Sequence, residues 1–194
     1  METEAMMQRE ALAHPLTGAP GTSLLGHGPC HLLQLMGEEG GEPTAASRVA
    51  PEDLRSIYEW MVRLRVFDTR MVNLQRQGRI GFFVPSTGEE AALIGTAHAL
   101  RPEDWVFPAY REQGVALYRG YPMEAMLCQM LGNREDYLQG RQMPNHFGCP
   151  RYRFAVASSP VGTQIPHAVG AAWSARLRRE DSVSVVYFGD GATS

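Results

Sequence analysis

Val183-Ser-Val-Val-Tyr-Phe-Gly-Asp-Gly-Ala-Thr-Ser194 is the stretch that decides the fold, because an apolar run leads directly into two glycines around one carboxylate. β-Branched and aromatic residues ended by glycines are typical of a short buried strand. Ligands of parallel α/β sheets bind beyond the carboxyl ends of the strands, which is where Asp190 lies. A carboxylate beside glycine backbone suits Mg²⁺ bound to phosphate oxygens, although an ordinary Asp-Gly turn explains the same residues.

The segment before this strand predicts a loop followed by a closely packed helix. Ser158-Ser-Pro160 cannot extend a helix backwards. From Thr163 onward, small residues allow close packing on neighbouring elements; they are Ala168, Gly170, Ala171 and Ala172. Backbone N–H and C=O groups are exposed at such a helix start, so the loop suits an anion or a coordinated monovalent cation. An ordinary capped helix is the alternative.

A long amphipathic helix is predicted from Pro51 to about Gly78. Proline suits the first helical position, Glu52 and Asp53 favour the N-terminal dipole, and glycine ends the helix. Apolar residues recur between these ends at spacings of three and four, over a length of roughly 40 Å. We interpret this helix as core or interface, with no chemistry of its own.

Shorter elements are predicted between this helix and residue 152. Ser86-Thr-Gly-Glu89 has the pattern of a capping box that opens a helix through about residue 100. Trp105-Val-Phe107 predicts a short strand, and helices follow residues 110–114 and residue 122. Residues 133–152 hold charges, glycines and two prolines, and they predict a long surface loop of the kind that is usually functional or mobile.

Composition narrows the class of protein. A chain of 194 residues is long enough for one domain with a core, and a net charge of −3 argues against a nucleic-acid surface. Cys30, Cys128 and Cys149 form no CxxC pair, which argues against a disulfide framework or a zinc site and favours a reducing compartment. No apolar run reaches membrane-spanning length, so no membrane partner is expected.

The first 50 residues differ in composition from the rest. Gly and Pro recur through them, and such backbone is costly to order and buries little. We therefore predict a flexible N-terminal arm over 1–50 and a domain over 51–194. The acidic start, Met1-Glu-Thr-Glu4, matches neither a signal peptide nor a transit peptide.

Several short motifs occur along the chain, and their order and spacing together are specific for one protein family. They are Gln77-Gly-Arg-Ile80, Gly88-Glu-Glu90, Val106-Phe107, Tyr110-Arg-Glu112, Gly140-Arg-Gln-Met-Pro144 with His146, Ser158-Ser-Pro160, Thr163-Gln-Ile-Pro166 and Gly189-Asp-Gly191. From about Arg48 onward, the sequence resembles the alpha subunits of thiamine-diphosphate-dependent 2-oxo acid dehydrogenases. The Gly-Arg-Gln-Met-Pro run resembles the branched-chain type. The implied fold is α/β: the N-terminal part of a thiamine-diphosphate-binding fold, with a parallel sheet flanked by helices.

The resemblance also implies roles for matched residues. Asp190 would ligate Mg²⁺, Arg111 would reach the cofactor diphosphate, and Phe82 would face the branched tail of the substrate. The other implied cofactor contacts are Tyr110, which would also line the substrate pocket, Ser159, Val161, Gly189, Gly191 and Ala192. A potassium site would be formed by Ser158, Pro160, Thr163 and Gln164. Ala109 and Gly162 differ from the residues common in relatives, which leaves their contacts open.

The implied activity is oxidative decarboxylation of branched-chain 2-oxo acids, with acyl transfer to a lipoyl group on a separate acyltransferase. The implied assembly is an alpha2-beta2 heterotetramer, whose beta subunit supplies a glutamate that activates the cofactor. The family's cofactor motif closes with an Asn beyond Gly189-Asp-Gly191, so the chain is expected to be truncated at its C-terminus and inactive by itself. It is expected in the bacterial cytoplasm, or in the mitochondrial matrix if the source is eukaryotic.

Two alternatives stay open. The first is an alpha subunit of the same chemistry that acts on pyruvate or acetoin. The second is a catalytically inactive fragment or a plain nucleotide-phosphate-binding domain, although no GxGxxG follows a predicted strand.

Overall fold

The computed structural model describes residues 49–193, and the predicted arm therefore lies outside the described residues apart from its last two positions. In chain order the elements are α1 (Pro51–Arg76), α2 (Glu90–Ala99), β1 (Trp105–Phe107), α3 (Gln113–Tyr118), α4 (Met123–Leu131), α5 (Gln164–Arg178) and β2 (Ser184–Val186). Two 3₁₀ turns, Pro150–Tyr152 and Asp190–Thr193, complete them. The α/β class is confirmed, while the division near residue 50 stays a prediction.

The two strands pair in parallel, as the sequence predicted. Trp105 lies opposite Ser184, and Phe107 lies opposite Val186. On the side of β1 that faces away from β2, Val106 donates a backbone hydrogen bond to Arg153 and accepts one from Ala155, both at 2.8 Å. Both strands therefore end at the same edge of the sheet, and residues 109–111 and 187–193 leave from that edge.

The expectation that the run 183–188 is buried is wrong for this part of the chain. All three residues of β2 are only half-buried, and Val183 and Phe188 are about half exposed, at 51% and 48%. Within residues 49–193, β2 has β1 as its only hydrogen-bonded strand neighbour. A strand with one paired edge keeps much of its other edge in water.

Helix α1 forms where it was predicted and supplies one wall of the core. It begins at Pro51, with Glu52 and Asp53 in its first turn, and ends at Arg76. Its buried apolar residues are Leu64, Phe67, Met71 and Leu74. They pack in one cluster with residues from α2, α3 and α4. None of the helices between residues 49 and 193 combines the length and the apolar character needed to cross a bilayer.

The predicted capping box at Ser86 does not form. Helix α2 begins only at Glu90, and the Ser86 hydroxyl donates a 2.8 Å hydrogen bond to Asp68 of α1 instead. The Glu90 carboxylate accepts a hydrogen bond from the Gly88 N–H at 2.9 Å and an ion-pair contact from Arg65 at 2.5 Å. The Ser86 hydroxyl thus bonds to the buried carboxylate of Asp68 and does not cap the following helix.

The predicted surface loop is interrupted by a buried segment. Residues 137–143 lie largely in solvent, whereas residues 145–149 are buried. Asn145 adopts the left-handed conformation, with φ of 69°, which asparagine tolerates better than most residues. Phe147 packs edge-on against Tyr121 of the core. Cys128 and Cys149 are both free thiols.

Replacing Gly148 with alanine should destabilise this buried segment. A Cβ atom there would lie 2.8 Å from the Val156 Cα, so the backbone has to move. We expect the free energy of unfolding, measured by urea denaturation, to fall by about 1–3 kcal/mol. Gly170→Ala is the matched control, because a Cβ in α5 meets nothing within 4 Å and alanine favours the helix. Equal stability of both variants would contradict the packing described.

Candidate active site

Three segments meet around a cavity beyond the carboxyl ends of β1 and β2. Its volume is about 420 Å³, and its lining residues are Ala109, Tyr110, Ser158, Val161, Gln164, Gly189, Asp190, Gly191 and Ala192. The first pair follows β1, the middle group belongs to the loop and first turn of α5, and the last group follows β2. Residues far apart in the sequence are brought together here by the parallel pairing of the strands.

Most residues predicted for the cofactor and potassium sites lie in or beside this cavity. Ser159, Pro160 and Thr163 belong to the lining loop but do not line the cavity themselves. Arg111 and Phe82 also lie outside its lining. Phe82 is 39% exposed, and its role against a substrate tail stays a prediction.

Asp190 begins a single 3₁₀ turn at the cavity wall. Thr193 donates its hydroxyl to the Asp190 carbonyl at 3.0 Å, and the Ala192 N–H donates to the Gly189 carbonyl at 3.0 Å. Gly162, in the facing loop, has φ of +87°, and a Cβ there would lie 3.3 Å from the Ala192 carbonyl. The loop before α5 and the turn after β2 therefore lie close together.

The start of α5 is tied to β2 through Gln164. Its side chain is buried and donates a 2.9 Å hydrogen bond from Nε2 to the Tyr187 carbonyl. In the residue directly before Gln164, the Thr163 hydroxyl donates a hydrogen bond to the Pro160 carbonyl at 2.9 Å. These oxygens are hard donors of the kind a monovalent cation takes, and the potassium assignment stays a prediction.

Arg111 lies next to Tyr110, where its guanidinium contacts three different groups. Nη1 donates to the Pro85 carbonyl at 2.7 Å, and Nε lies 3.6 Å from a carboxylate oxygen of Glu89. The guanidinium also lies 5.7 Å from the centre of the Tyr110 ring. The pairing with Glu89 is half-exposed, and such pairs contribute only about 0–1 kcal/mol to stability.

Glu112 shapes the backbone at the end of β1, a role the sequence analysis did not assign. Its buried carboxylate accepts hydrogen bonds from the N–H groups of Tyr110 and Arg111, both at 3.0 Å. Burial raises the pKa of Glu112, and the backbone hydrogen bonds oppose that rise. The sequence signal for this role was a charged residue directly after Tyr110-Arg111. A carboxylate is rarely buried unless it accepts hydrogen bonds, as Glu112 does from these two backbone N–H groups.

The buried half of the 133–152 loop also contacts the site. Asn145 donates its amide to the Tyr110 carbonyl at 2.6 Å, and its oxygen accepts a hydrogen bond from the Val84 N–H at 3.3 Å. Its neighbour His146 places Nε2 2.8 Å from the Ser159 hydroxyl and Nδ1 3.1 Å from the Pro144 carbonyl. A carbonyl only accepts, so Nδ1 carries a hydrogen, and in the neutral ring Nε2 accepts the serine proton.

The donor set suits a metal-bound diphosphate better than a metal held by protein alone. Within residues 49–193, no group of three or more His, Cys, Asp and Glu side chains could enclose an ion. The cavity lining contains one carboxylate, Asp190, set between two glycines. Mg²⁺ is commonly held by one or two carboxylates together with substrate phosphates, so these residues fit such a group.

A parallel sheet with a cavity at its carboxyl edge defines a class of α/β ligand-binding proteins. Within that class, the chain belongs to the dehydrogenase E1 component family, whose sequence pattern matches residues 58–194.

The chain is similar to proteins named 2-oxoisovalerate dehydrogenase subunit alpha, mitochondrial. The human protein is 43% identical over 152 residues, which cover 78% of this chain and 34% of the human protein. The Caenorhabditis elegans protein is 46% identical over 139 residues, 71% of this chain and 32% of that protein. Subunit alpha 2 of Arabidopsis thaliana is 44% identical over 147 residues, 76% and 31% respectively. The chain thus spans about a third of the length of these relatives.

Proposed function

We propose that this chain forms part of the alpha subunit of a branched-chain 2-oxo acid dehydrogenase, which oxidatively decarboxylates 3-methyl-2-oxobutanoate and related acids. The observation that carries the proposal is the cavity at the carboxyl ends of β1 and β2, with Tyr110 and Asp190 in its lining. The family match and the names of the relatives support it. When bound, thiamine diphosphate supplies the electron sink for decarboxylation.

Different residues in and beside the cavity would hold different parts of such a cofactor. Asp190 would bind Mg²⁺, and the glycines at 189 and 191 leave the backbone open to the metal and the phosphates. Arg111 would donate to the diphosphate, since a guanidinium binds phosphate oxygens in a bidentate manner. Ser159, Val161 and Ala192 would contact the cofactor's rings or edges.

A potassium ion would keep the loop before α5 in place. Ser158, Pro160, Thr163 and Gln164 would contribute oxygens, and the short Thr163–Pro160 hydrogen bond supports a compact turn there. His146 supports the same loop from the other side through its hydrogen bond to Ser159. The loop would thus be held both by the ion and by the buried part of residues 145–149.

The partners proposed are a beta subunit in an alpha2-beta2 heterotetramer and a lipoyl-bearing acyltransferase. The relatives are named as alpha subunits, which supports a multi-chain assembly. Helix α5 also presents Val169, Trp173 and Leu177 to solvent, each more than half exposed. These three residues recur every fourth position on one face of the helix, as interface residues do.

Substrate turnover tests the proposed function. In the enzyme reconstituted from alpha and beta subunits, we expect decarboxylation of 3-methyl-2-oxobutanoate with a kcat/KM at least ~10-fold above that for pyruvate. The branched acid has two more methyl groups, and one such group contributes about 1–3 kcal/mol in an apolar pocket. The measurement is acyl transfer from each of the three compounds to a lipoyl acceptor, with Mg²⁺ and thiamine diphosphate present, because acetoin has no carboxylate to release as CO₂. Preference for pyruvate or acetoin would identify the alternative subunit, and no turnover of any of the three would contradict the proposal.

A further inference from the structure

Asp68 is a carboxylate in the middle of α1 with no exposed surface, at 0%. Its Oδ2 accepts hydrogen bonds from the Ser86 N–H at 2.7 Å and the Ser86 hydroxyl at 2.8 Å. Its Oδ1 accepts a 3.1 Å hydrogen bond from Nε2 of Gln113. Burial raises the pKa of Asp68, and the hydrogen bonds from Ser86 and Gln113 lower it. A buried charge is costly unless it is paired or hydrogen-bonded in this way.

These hydrogen bonds hold the backbone of residues 84–86 between α1 and α3. Gln113, at the start of α3, is buried and also donates Nε2 to the Val84 carbonyl at 3.2 Å. Ser86 is fixed by the two bonds to Asp68. Pro85, between them, has no N–H, and its carbonyl accepts the 2.7 Å hydrogen bond from Nη1 of Arg111.

We propose that Asp68 is a positioning residue for cofactor binding: it fixes the segment 84–86, and the Pro85 carbonyl then holds the guanidinium of Arg111 ready for a diphosphate. The inference rests on the proposed function of Arg111. A long side chain that is free to rotate loses conformational entropy when a ligand immobilises it, and this loss weakens binding. A guanidinium already held by one N–H avoids part of this loss and keeps other donors for phosphate oxygens.

Packing alone does not explain why a carboxylate stands at position 68, and this directs attention to the hydrogen bonds that it accepts near the site. Its neighbours on the same face of α1, Leu64, Phe67 and Met71, are apolar and buried. An apolar residue of similar size at position 68 would fill the same space without the cost of burying a charge. What an apolar residue could not do is accept hydrogen bonds from both Ser86 and Gln113.

Asp68→Asn is the variant that tests the proposal, in the assembled enzyme with its beta subunit. The amide keeps the size of the side chain but has one acceptor oxygen, so it cannot accept both the Ser86 and the Gln113 hydrogen bonds. We expect the affinity for magnesium thiamine diphosphate, measured by calorimetry, to fall ~10-fold. In an Arg111→Ala background the same change should lower the affinity less than ~2-fold, because residues that act through one contact are non-additive.

Asp104→Asn is the matched control. Asp104 is also a buried aspartate that accepts two backbone hydrogen bonds, from the Arg101 and Val183 N–H groups, but it precedes β1 at the other end of the sheet. Its variant should bind the cofactor like the wild type. Ser86→Ala provides a milder second variant, which removes only the hydroxyl hydrogen bond and should show a smaller loss in the same non-additive pattern.

The outcomes separate the two proposals. If wild-type enzyme does not bind magnesium thiamine diphosphate, the proposed function is wrong and the role of Asp68 falls with it. If wild type binds and Asp68→Asn and Ser86→Ala bind equally well, only the positioning role is wrong. Equal losses in the wild-type and Arg111→Ala backgrounds would also overturn it, since they would show that Asp68 acts on the fold and not through Arg111.

Discussion

Asp190→Ala is expected to abolish magnesium-dependent binding of thiamine diphosphate, with an affinity loss of at least ~30-fold. Once a bound cofactor excludes water from the site, removing one partner of a charge contact costs about 2–5 kcal/mol, and the cavity lining contains no second carboxylate to replace it. The fold should be nearly unchanged, because Asp190 is exposed and lies after the last strand of the described chain. Calorimetry with and without Mg²⁺, together with a thermal denaturation curve, checks both parts.

Asp181→Ala is the matched control for this prediction. Asp181 is also an exposed aspartate close to β2, but it precedes that strand and pairs with Arg101. Its replacement should leave cofactor affinity unchanged. Unchanged affinity in Asp190→Ala would show that the Gly-Asp-Gly turn closes the strand and holds no metal.

Arg111→Lys is expected to lower the affinity for the same cofactor roughly 10- to 100-fold, and Arg111→Ala at least as much. Hydrogen bonds to charged groups contribute about 1.5–3 kcal/mol, and an ammonium cannot reproduce the bidentate geometry of a guanidinium. It also cannot easily keep the Pro85 carbonyl contact while reaching a phosphate. The measurement is cofactor affinity at constant Mg²⁺.

The alternative for Arg111 is a structural pairing with Glu89, and cofactor affinity distinguishes the two. If that pairing were its only role, Arg111→Lys would bind cofactor normally. Arg134→Lys, in the exposed part of the loop with a side chain that is 94% exposed, serves as the control for replacing a guanidinium with an ammonium at the surface. Loss of affinity in this control as well would remove the argument for Arg111.

The elements that could be predicted from the sequence depend on local patterns. Helix α1 follows from apolar spacing, a proline at one end and acidic residues in its first turn. The turn at Asp190 follows from glycines directly after an apolar run. In each case the residues that determine the element are close together in the sequence, so a short window of sequence is enough to predict it.

The contacts that could not be predicted join distant residues. Ser86 has the local pattern of a helix cap, but its partner Asp68 lies 18 positions away. Asn145 joins Tyr110 across 35 positions and thereby anchors the buried segment 145–149. Such pairings depend on how the helices pack, which no local pattern contains. Asp190 was found because it follows a predicted strand, and Tyr110 because its motif resembles that of the family. The residues that support them were missed because no local pattern marks them.

The carboxylate of Glu112 has a consequence for the order in which ligands enter. It already occupies the two amide N–H groups that follow β1, so an incoming anion cannot use them without displacing a charge of its own sign. Asp190 adds a second negative group at the neighbouring strand end. These two negative groups would repel a bare diphosphate from this edge of the sheet, and a cation already bound to the diphosphate would weaken that repulsion. We therefore expect the edge to admit the preformed metal complex more readily than the bare diphosphate.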